Sequence, residues 1–118
     1  MNIAQVSKEK NITTDSLRYY ERIGLIPPVS RTIRGVRDYT KEDLRWVDFV
    51  MCMRSAGLSI ESLIEYVRLC GEGSPTVPAR RDLLVDECDL LEKRILGLQG
   101  ALAQLKEKVD GYEGMLKG

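Results

Sequence analysis

The spacing of hydrophobic residues along the chain predicts a protein that is mostly α-helical. Apolar residues recur three or four positions apart, which is the period of an amphipathic helix. Residues 3–22 fit two short helices with a tight turn, and residues 41–56 and 59–70 fit two more. The last forty residues show the same period without a break. The pattern therefore predicts a compact helical region followed by one long helix.

The first two helices have the spacing of a helix-turn-helix motif. Val6 and Leu17 lie on the predicted inner faces, and Asn11 suits the left-handed conformation of the turn between them. Thr13 is expected to cap the second helix. In such a motif the second helix enters the major groove of DNA. Any small helical bundle could also contain two such helices, so this pattern leaves a purely structural role open.

A short β-hairpin is predicted directly after the motif. Gly24 ends the second helix and the Pro27-Pro28 pair prevents its continuation. The segment VSRTIRGVRDY at residues 29–39 then alternates apolar and polar residues around a central Arg-Gly. An isolated hairpin is marginally stable. This one is therefore expected to lean on the helices as a wing, with its arginines beside the second helix.

The long C-terminal helix carries a heptad seam that needs a partner. A helix over these residues would be roughly 50 Å long at 1.5 Å per residue, more than the N-terminal region could cover. The simplest partner is the same helix of a second chain; a helix folded back on its own domain is the alternative. The seam consists of Leu84, Cys88, Leu91, Ile95, Leu98, Leu102, Leu105, Val109, Tyr112 and Leu116.

Charge is distributed unevenly although the net charge is zero. Residues 1–57 carry ten basic and seven acidic side chains, whereas residues 58–118 carry eight and eleven. Residues 18–37 hold five arginines and a single acid, Glu21. A local basic patch matters more for phosphate binding than the overall charge. Ordinary surface arginines on a neutral protein would give the same composition, so the patch alone does not decide between them.

The stretch LRYYERIGLIPP at residues 17–28 places two tyrosines between two arginines. Arginine forms bidentate bonds with phosphate or guanine, and a tyrosine hydroxyl can donate to phosphate while its ring packs on the sugar. Tyr20, three residues after Leu17, is expected to be the more buried of the two tyrosines. A pair of core aromatics is the competing interpretation.

With these segments in view, the sequence resembles the MerR family of transcription regulators. The matching segments are LRYYERIGLIP at 17–27, GVRDY at 35–39, Asp43-Leu44, Gly57-Leu58-Ser59 and the C-terminal heptads. The resemblance implies a winged helix-turn-helix domain at 1–72 and a linker with an antiparallel coiled-coil dimerisation helix at 73–118. It also implies a homodimer on a palindromic promoter operator of double-stranded DNA. Activation would twist an over-long promoter spacer so that RNA polymerase engages both promoter elements.

The family also suggests which residues contact DNA. By matched position, the second helix and the wing would supply contacts to the DNA backbone, and one serine would contact a base or a phosphate. Two further arginines are weaker candidates. The expected backbone contacts are Arg18, Tyr19, Tyr20, Arg37 and Tyr39, the serine is Ser16, and the weaker candidates are Arg31 and Arg54.

The positions of the three cysteines bear on what the regulator senses. Metal-sensing members of the family place a cysteine at the start of the coiled-coil helix, but residues 76–81 contain none, and the chain has no histidine. No metal or cofactor is therefore expected. Cys52, in VMCMRSAG, resembles the single cysteine of short members that respond to aldehydes, other electrophiles or nitrosative stress. Cys70 is a second candidate, and Cys88 lies in the seam.

The residues around Cys52 leave its role open. Arg45 and Arg54 could favour the reactive thiolate, whereas Asp48 would oppose it. Free cysteine is among the most buried residue types, and Met51 and Met53 flank this one, so a packing role is the alternative.

Other protein classes fit the sequence poorly. An enzyme is not expected, because there is no histidine, no Cys-x-x-Cys pair and no Gly-rich phosphate loop. No apolar run approaches the roughly 18 residues of a membrane span, and the start of the sequence lacks an apolar signal segment, so a cytoplasmic, nucleoid-associated protein is expected. A DNA-architectural protein and a coiled-coil adaptor remain as alternatives to a sensor.

Overall fold

Five α-helices account for most of the molecule. The computed structural model describes all 118 residues, and it contains no β-strand. The mostly helical prediction is therefore confirmed. The helices are α1 Ile3–Lys10, α2 Thr14–Ile23, α3 Lys41–Ser55, α4 Ile60–Gly71 and α5 Val77–Lys117, with a 3-10 turn at Ser74–Thr76.

The ends of α2 follow from local chemistry. Asn11 adopts a left-handed conformation with φ 54°, which turns the chain out of α1. The Thr13 hydroxyl oxygen then accepts a hydrogen bond from the Ser16 amide at 3.0 Å and caps α2. Gly24 ends the helix with φ 84°, a conformation that favours glycine. The predicted turn, cap and helix end are all confirmed.

The wing is a loop rather than a two-stranded hairpin. Arg31 and Arg37 form a single antiparallel bridge, and the Thr32 amide donates to the Val36 carbonyl at 2.8 Å across a tight turn. Ile33 is fully exposed and Val36 is largely exposed, so neither packs against the helices. The prediction of strands here is wrong. With no third strand to extend the ladder, only one bridge forms.

One hydrophobic core joins the helices to the base of the wing. Its buried members come from α1, α2, the wing segment, α3 and α4, so every element of the N-terminal region contributes. They are Val6, Leu17, Leu25, Ile26, Val29, Tyr39, Val47, Val50, Leu58 and Leu63. The wing is therefore attached through its two ends, while its tip lies in solvent.

The chain divides into two compact units, Met1–Leu84 and Val85–Gly118. The first unit extends past the predicted boundary at residue 72, because hydrogen bonds tie the start of α5 to the end of α4. The Thr76 hydroxyl lies 2.6 Å from the Leu69 carbonyl, and Arg80 donates to the Gly73 carbonyl at 2.7 Å. The functional division at 72/73 stays a prediction.

The second unit is helical up to Lys117, and no residue of α5 is buried in the single chain. At 1.5 Å per residue, the 41 residues of α5 span roughly 60 Å. The predicted seam is uncovered along most of its length, with Leu98 and Leu105 each 64% exposed.

Candidate nucleic-acid interface

The outer face of α2 presents the arginines and one tyrosine of the sequence motif to solvent. Arg18, Tyr19 and Arg22 are exposed, and with Ser16 and Asp15 they line a shallow depression. The Arg22 guanidinium lies over the Tyr19 ring, 5.4 Å from its centroid. Arg18 reaches Asp15 at 3.3 Å, a weak exposed pair that phosphate could replace. This face therefore offers two cations and a hydroxyl for a polyanion.

Tyr20 and Arg54 lie at the edge of this face and are partly used by the fold. Tyr20 packs against the core and is half-buried, which confirms that it is the more buried tyrosine. Burial raises the pKa of its hydroxyl, and the nearby Arg54 partly offsets that rise. Arg54 also donates to the Leu58 carbonyl at 2.6 Å, after the end of α3. A DNA contact by either residue stays a prediction.

Glu21 connects the wing to α2 through two hydrogen bonds. Arg37 donates its Nε–H to one carboxylate oxygen at 2.6 Å, and the Val29 amide donates to the other at 2.9 Å. Burial alone would raise the pKa of Glu21, but these two bonds and the charge of Arg37 outweigh it and hold that pKa below its usual value. Arg37 was predicted as a DNA contact; in the unbound chain it is paired within the protein.

Tyr39 lies in the core rather than on the predicted contact surface. Its side chain is 2% exposed, and its hydroxyl has no hydrogen-bond partner. Burial raises the pKa of this hydroxyl, and the Arg37 guanidinium offsets part of the rise. A phosphate contact through the Tyr39 hydroxyl would therefore require the wing to move. The sequence pattern did not predict this burial, because tyrosine is found both in protein cores and at binding surfaces.

Two further side chains, Arg31 and Asp43, stabilise the wing. Arg31 donates to the Gly35 carbonyl at 2.9 Å and stays exposed. The buried carboxylate of Asp43 accepts from the Thr40 amide at 2.9 Å and from the Ser30 amide at 3.4 Å. The sequence analysis noted Asp43 as part of the matching Asp43-Leu44 segment, yet it also fixes the base of the wing.

Cys52 is exposed on α3. Met51 and Met53, its neighbours in sequence, are partly buried against the core. Consecutive residues on a helix point about 100° apart, so two methionines can pack while the cysteine between them faces solvent. In the single chain, therefore, Cys52 is not a core packing residue.

The charges expected to tune Cys52 are engaged elsewhere. Arg45 pairs with Glu42 at 2.7 Å, and Asp48 pairs with Lys10 at 3.0 Å. Each of these two charges is thus compensated within the single chain by a partner of opposite sign.

The other two cysteines differ in exposure. Cys70 is half-buried and Cys88 is exposed on α5. Burial raises the pKa of the Tyr66 hydroxyl, and the neighbouring Cys70 thiol raises it further. No group of three or more His, Cys, Asp or Glu residues gathers as a metal site. None of the helices combines the length and apolar character that a membrane span requires.

Comparison with known proteins identifies this arrangement. Residues 1–70 match the family model for MerR HTH family regulatory proteins. The transcriptional regulator AdhR of Bacillus subtilis is 60% identical over 87 residues, which are 74% of this chain and 62% of AdhR. The match therefore spans less than two thirds of AdhR.

Two solved structures share the architecture over nearly the whole chain. A MerR family regulator from Listeria monocytogenes superposes with a TM-score of 0.92 at 48% identity, covering 96% of this chain and 86% of that one. HiNmlR, a MerR family regulator lacking the sensor domain and bound to promoter DNA, superposes with a TM-score of 0.88 at 26% identity. The match covers 95% of this chain and 89% of that one. The chain thus belongs to the MerR family of helix-turn-helix transcription regulators and is a DNA-binding protein.

Proposed function

We propose that the chain works as a homodimer whose C-terminal helices pair as an antiparallel coiled coil. The support is the uncovered seam: apolar side chains at heptad spacing would otherwise lie in water along most of α5. Burying apolar surface yields roughly 25 cal/mol per Å², so a seam of this length favours association. A second copy supplies the same seam with two-fold symmetry.

Two copies of α2 and the wing then bind the two halves of a palindromic operator. Arg18 and Tyr19 contact the DNA backbone, and Ser16 contacts a base or a phosphate, with Arg31, Arg37 and Arg54 adding positive charge at the edges. The bound dimer twists and bends an over-long promoter spacer. RNA polymerase then engages both promoter elements, and the energy of DNA deformation acts as the switch.

The inducer is an electrophile, such as a reactive aldehyde, or a nitrosating agent, and it reacts with Cys52. The observation that carries this proposal is the exposure of Cys52 on α3. With an aldehyde, the thiolate sulfur attacks the carbonyl carbon, and the carbonyl oxygen takes a proton from solvent to give a hemithioacetal. The added group sits on the helix that directly follows the wing, where a change in packing reaches the DNA-binding surface.

Run-off transcription from the promoter beside the gene tests the sensor. Wild type, Cys52→Ser and the matched variant Cys70→Ser, at the second candidate cysteine, are compared with and without a reactive aldehyde. We expect aldehyde to raise the transcript with wild type and Cys70→Ser but not with Cys52→Ser, while all three bind the operator equally. If Cys52→Ser responds normally, Cys52 is not the sensor. If no variant responds and output follows protein concentration alone, a regulator that does not sense thiol reagents, or a DNA-architectural protein, is the better description.

A further inference from the structure

Glu21 stands out because it is an acid in the middle of the basic surface. It is the only acidic residue between positions 18 and 37, where five arginines lie. A carboxylate close to DNA phosphates repels them, so such a residue should weaken DNA binding if it does nothing else. Its side chain is only 12% exposed, and its partner Arg37 is 25% exposed. The carboxylate is thus withdrawn from the surface and neutralised there.

The two bonds of Glu21 cross between separate elements. Glu21 belongs to α2, whereas Val29 and Arg37 lie at the two ends of the wing segment. The turn of the wing has backbone hydrogen bonds of its own, and Asp43 holds its base to α3. The two hydrogen bonds that join the wing directly to α2 both end at the Glu21 carboxylate, so the position of the wing relative to α2 depends on this residue.

We propose that Glu21 is a positioning residue for DNA recognition, which fixes the wing against α2 so that both elements meet the DNA in one geometry. This inference rests on the proposed DNA-contacting surface. It assigns to Arg37 a role in holding the wing, whether or not its remaining N–H groups also reach a phosphate. Arginine has five donors, and the Glu21 bond uses its Nε–H.

A pair of charge-neutralising substitutions on the same helix tests the proposal. Glu21→Gln removes one negative charge and one of two acceptor oxygens. Asp15→Asn removes the same charge at an exposed position whose contact is an exposed pair with Arg18. Operator affinity is measured by fluorescence anisotropy with the full-length protein, at temperatures where thermal unfolding shows each variant to be folded.

We expect the two substitutions to change operator affinity in opposite directions. Asp15→Asn should raise affinity, because a charge that repels phosphate and pairs with Arg18 is gone. Glu21→Gln should lower it roughly tenfold, the size expected for one lost charge-assisted hydrogen bond. The slope of log affinity against log salt should also fall by about 0.9 for each phosphate contact that the wing loses. Unchanged or higher affinity for Glu21→Gln overturns the proposal.

The Arg37→Ala background separates positioning from general destabilisation. If Glu21 acts mainly through Arg37, then Glu21→Gln lowers affinity more in wild type than in Arg37→Ala, where only the bond from the Val29 amide is left to weaken. An equal loss in both backgrounds overturns the role assigned to the pair. Arg18→Ala reports on the surface itself: if it does not weaken operator binding, the proposed DNA-contacting surface is wrong. If it does weaken binding while Glu21→Gln does not, only the positioning role fails.

Discussion

The Nε atom of Arg37 lies 2.6 Å from Oε1 of Glu21, and this bond joins the wing to α2. Both side chains are largely withdrawn from solvent, whereas an exposed pair such as Arg45–Glu42 is 73% and 65% exposed. Exposed pairs contribute little to stability, while removing one partner of a withdrawn pair leaves the other charge uncompensated. The Glu21–Arg37 pair is therefore expected to matter for folding as well as for DNA binding.

The pH dependence of stability gives a direct measure of this pair. The pKa of Glu21 in the folded chain lies below its ordinary value of 4.5. Its ionised form thus contributes stability that is fully present above the ordinary value and is lost as the pH falls through the folded value. We expect the free energy of unfolding of wild type to exceed that of Glu21→Gln by a constant amount above about pH 5.5, and by less in acid.

Chemical denaturation of both proteins between pH 3 and 7 measures this difference. A gap between wild type and Glu21→Gln that stays constant down to the lowest pH would show that the charge of Glu21 contributes nothing to the stability of the fold.

The buried hydroxyl of Tyr39 supports a second prediction. A buried polar group without a partner costs free energy, so Tyr39→Phe should leave stability unchanged or raise it by about 1 kcal/mol. Thermal unfolding without DNA gives this value. A clear loss of stability would mean that the hydroxyl has a partner in the folded chain.

Operator affinity of Tyr39→Phe gives separate information. If the variant is as stable as wild type but binds DNA less well, the hydroxyl becomes available to phosphate only when the wing moves on binding. Equal affinity would assign Tyr39 to the core alone.

The helices could be predicted from sequence because their signals are local. The cap at Thr13 and the helix ends at Asn11 and Gly24 depend on residues within one turn of the helix. The wing could not be predicted as well. Alternation at residues 29–39 is compatible with strands, but a strand needs a ladder to pair with, and the fold supplies none.

The contacts that hold the candidate site together were not predicted, because they join residues that are far apart in the sequence. Glu21 bonds to residues 8 and 16 positions away, and no helical or strand period links such positions. Its isolation among five arginines was visible in the sequence, but that pattern did not indicate its hydrogen-bond partners. The burial of Tyr39 likewise depends on how α1, α3 and the wing pack, which no short motif encodes.

Arg18 should contribute to DNA binding through charge rather than through the fold. It is exposed, and its contacts within the chain are weak ones at 3.3 and 3.4 Å. Arg18→Ala is expected to weaken operator binding by about 1–2 kcal/mol and to reduce the salt slope by about one. Arg45→Ala, an exposed arginine on α3, is the matched control. Equal effects of the two variants would indicate nonspecific charge attraction instead of a contact.

The seam of α5 provides the test of oligomeric state. Leu98 and Leu96 are both exposed in the single chain, at 64% and 68%, yet only Leu98 occupies a seam position. Leu98→Asp places a charge in the proposed interface and should dissociate the dimer, whereas Leu96→Asp should not. Sedimentation should give wild type and Leu96→Asp twice the 13.4 kDa of one chain. Leu98→Asp should give the mass of one chain.

Thermal unfolding adds an independent reading of the same variants. A dimer linked to folding melts at a temperature that rises with protein concentration, whereas a monomer does not. Wild type and Leu96→Asp should show this dependence, and Leu98→Asp should lose it. If wild type sediments as one chain, the homodimer proposal is wrong. If instead Leu96→Asp dissociates and Leu98→Asp does not, the chains pair through a different face of α5, and the two copies of α2 would meet the operator in a different arrangement.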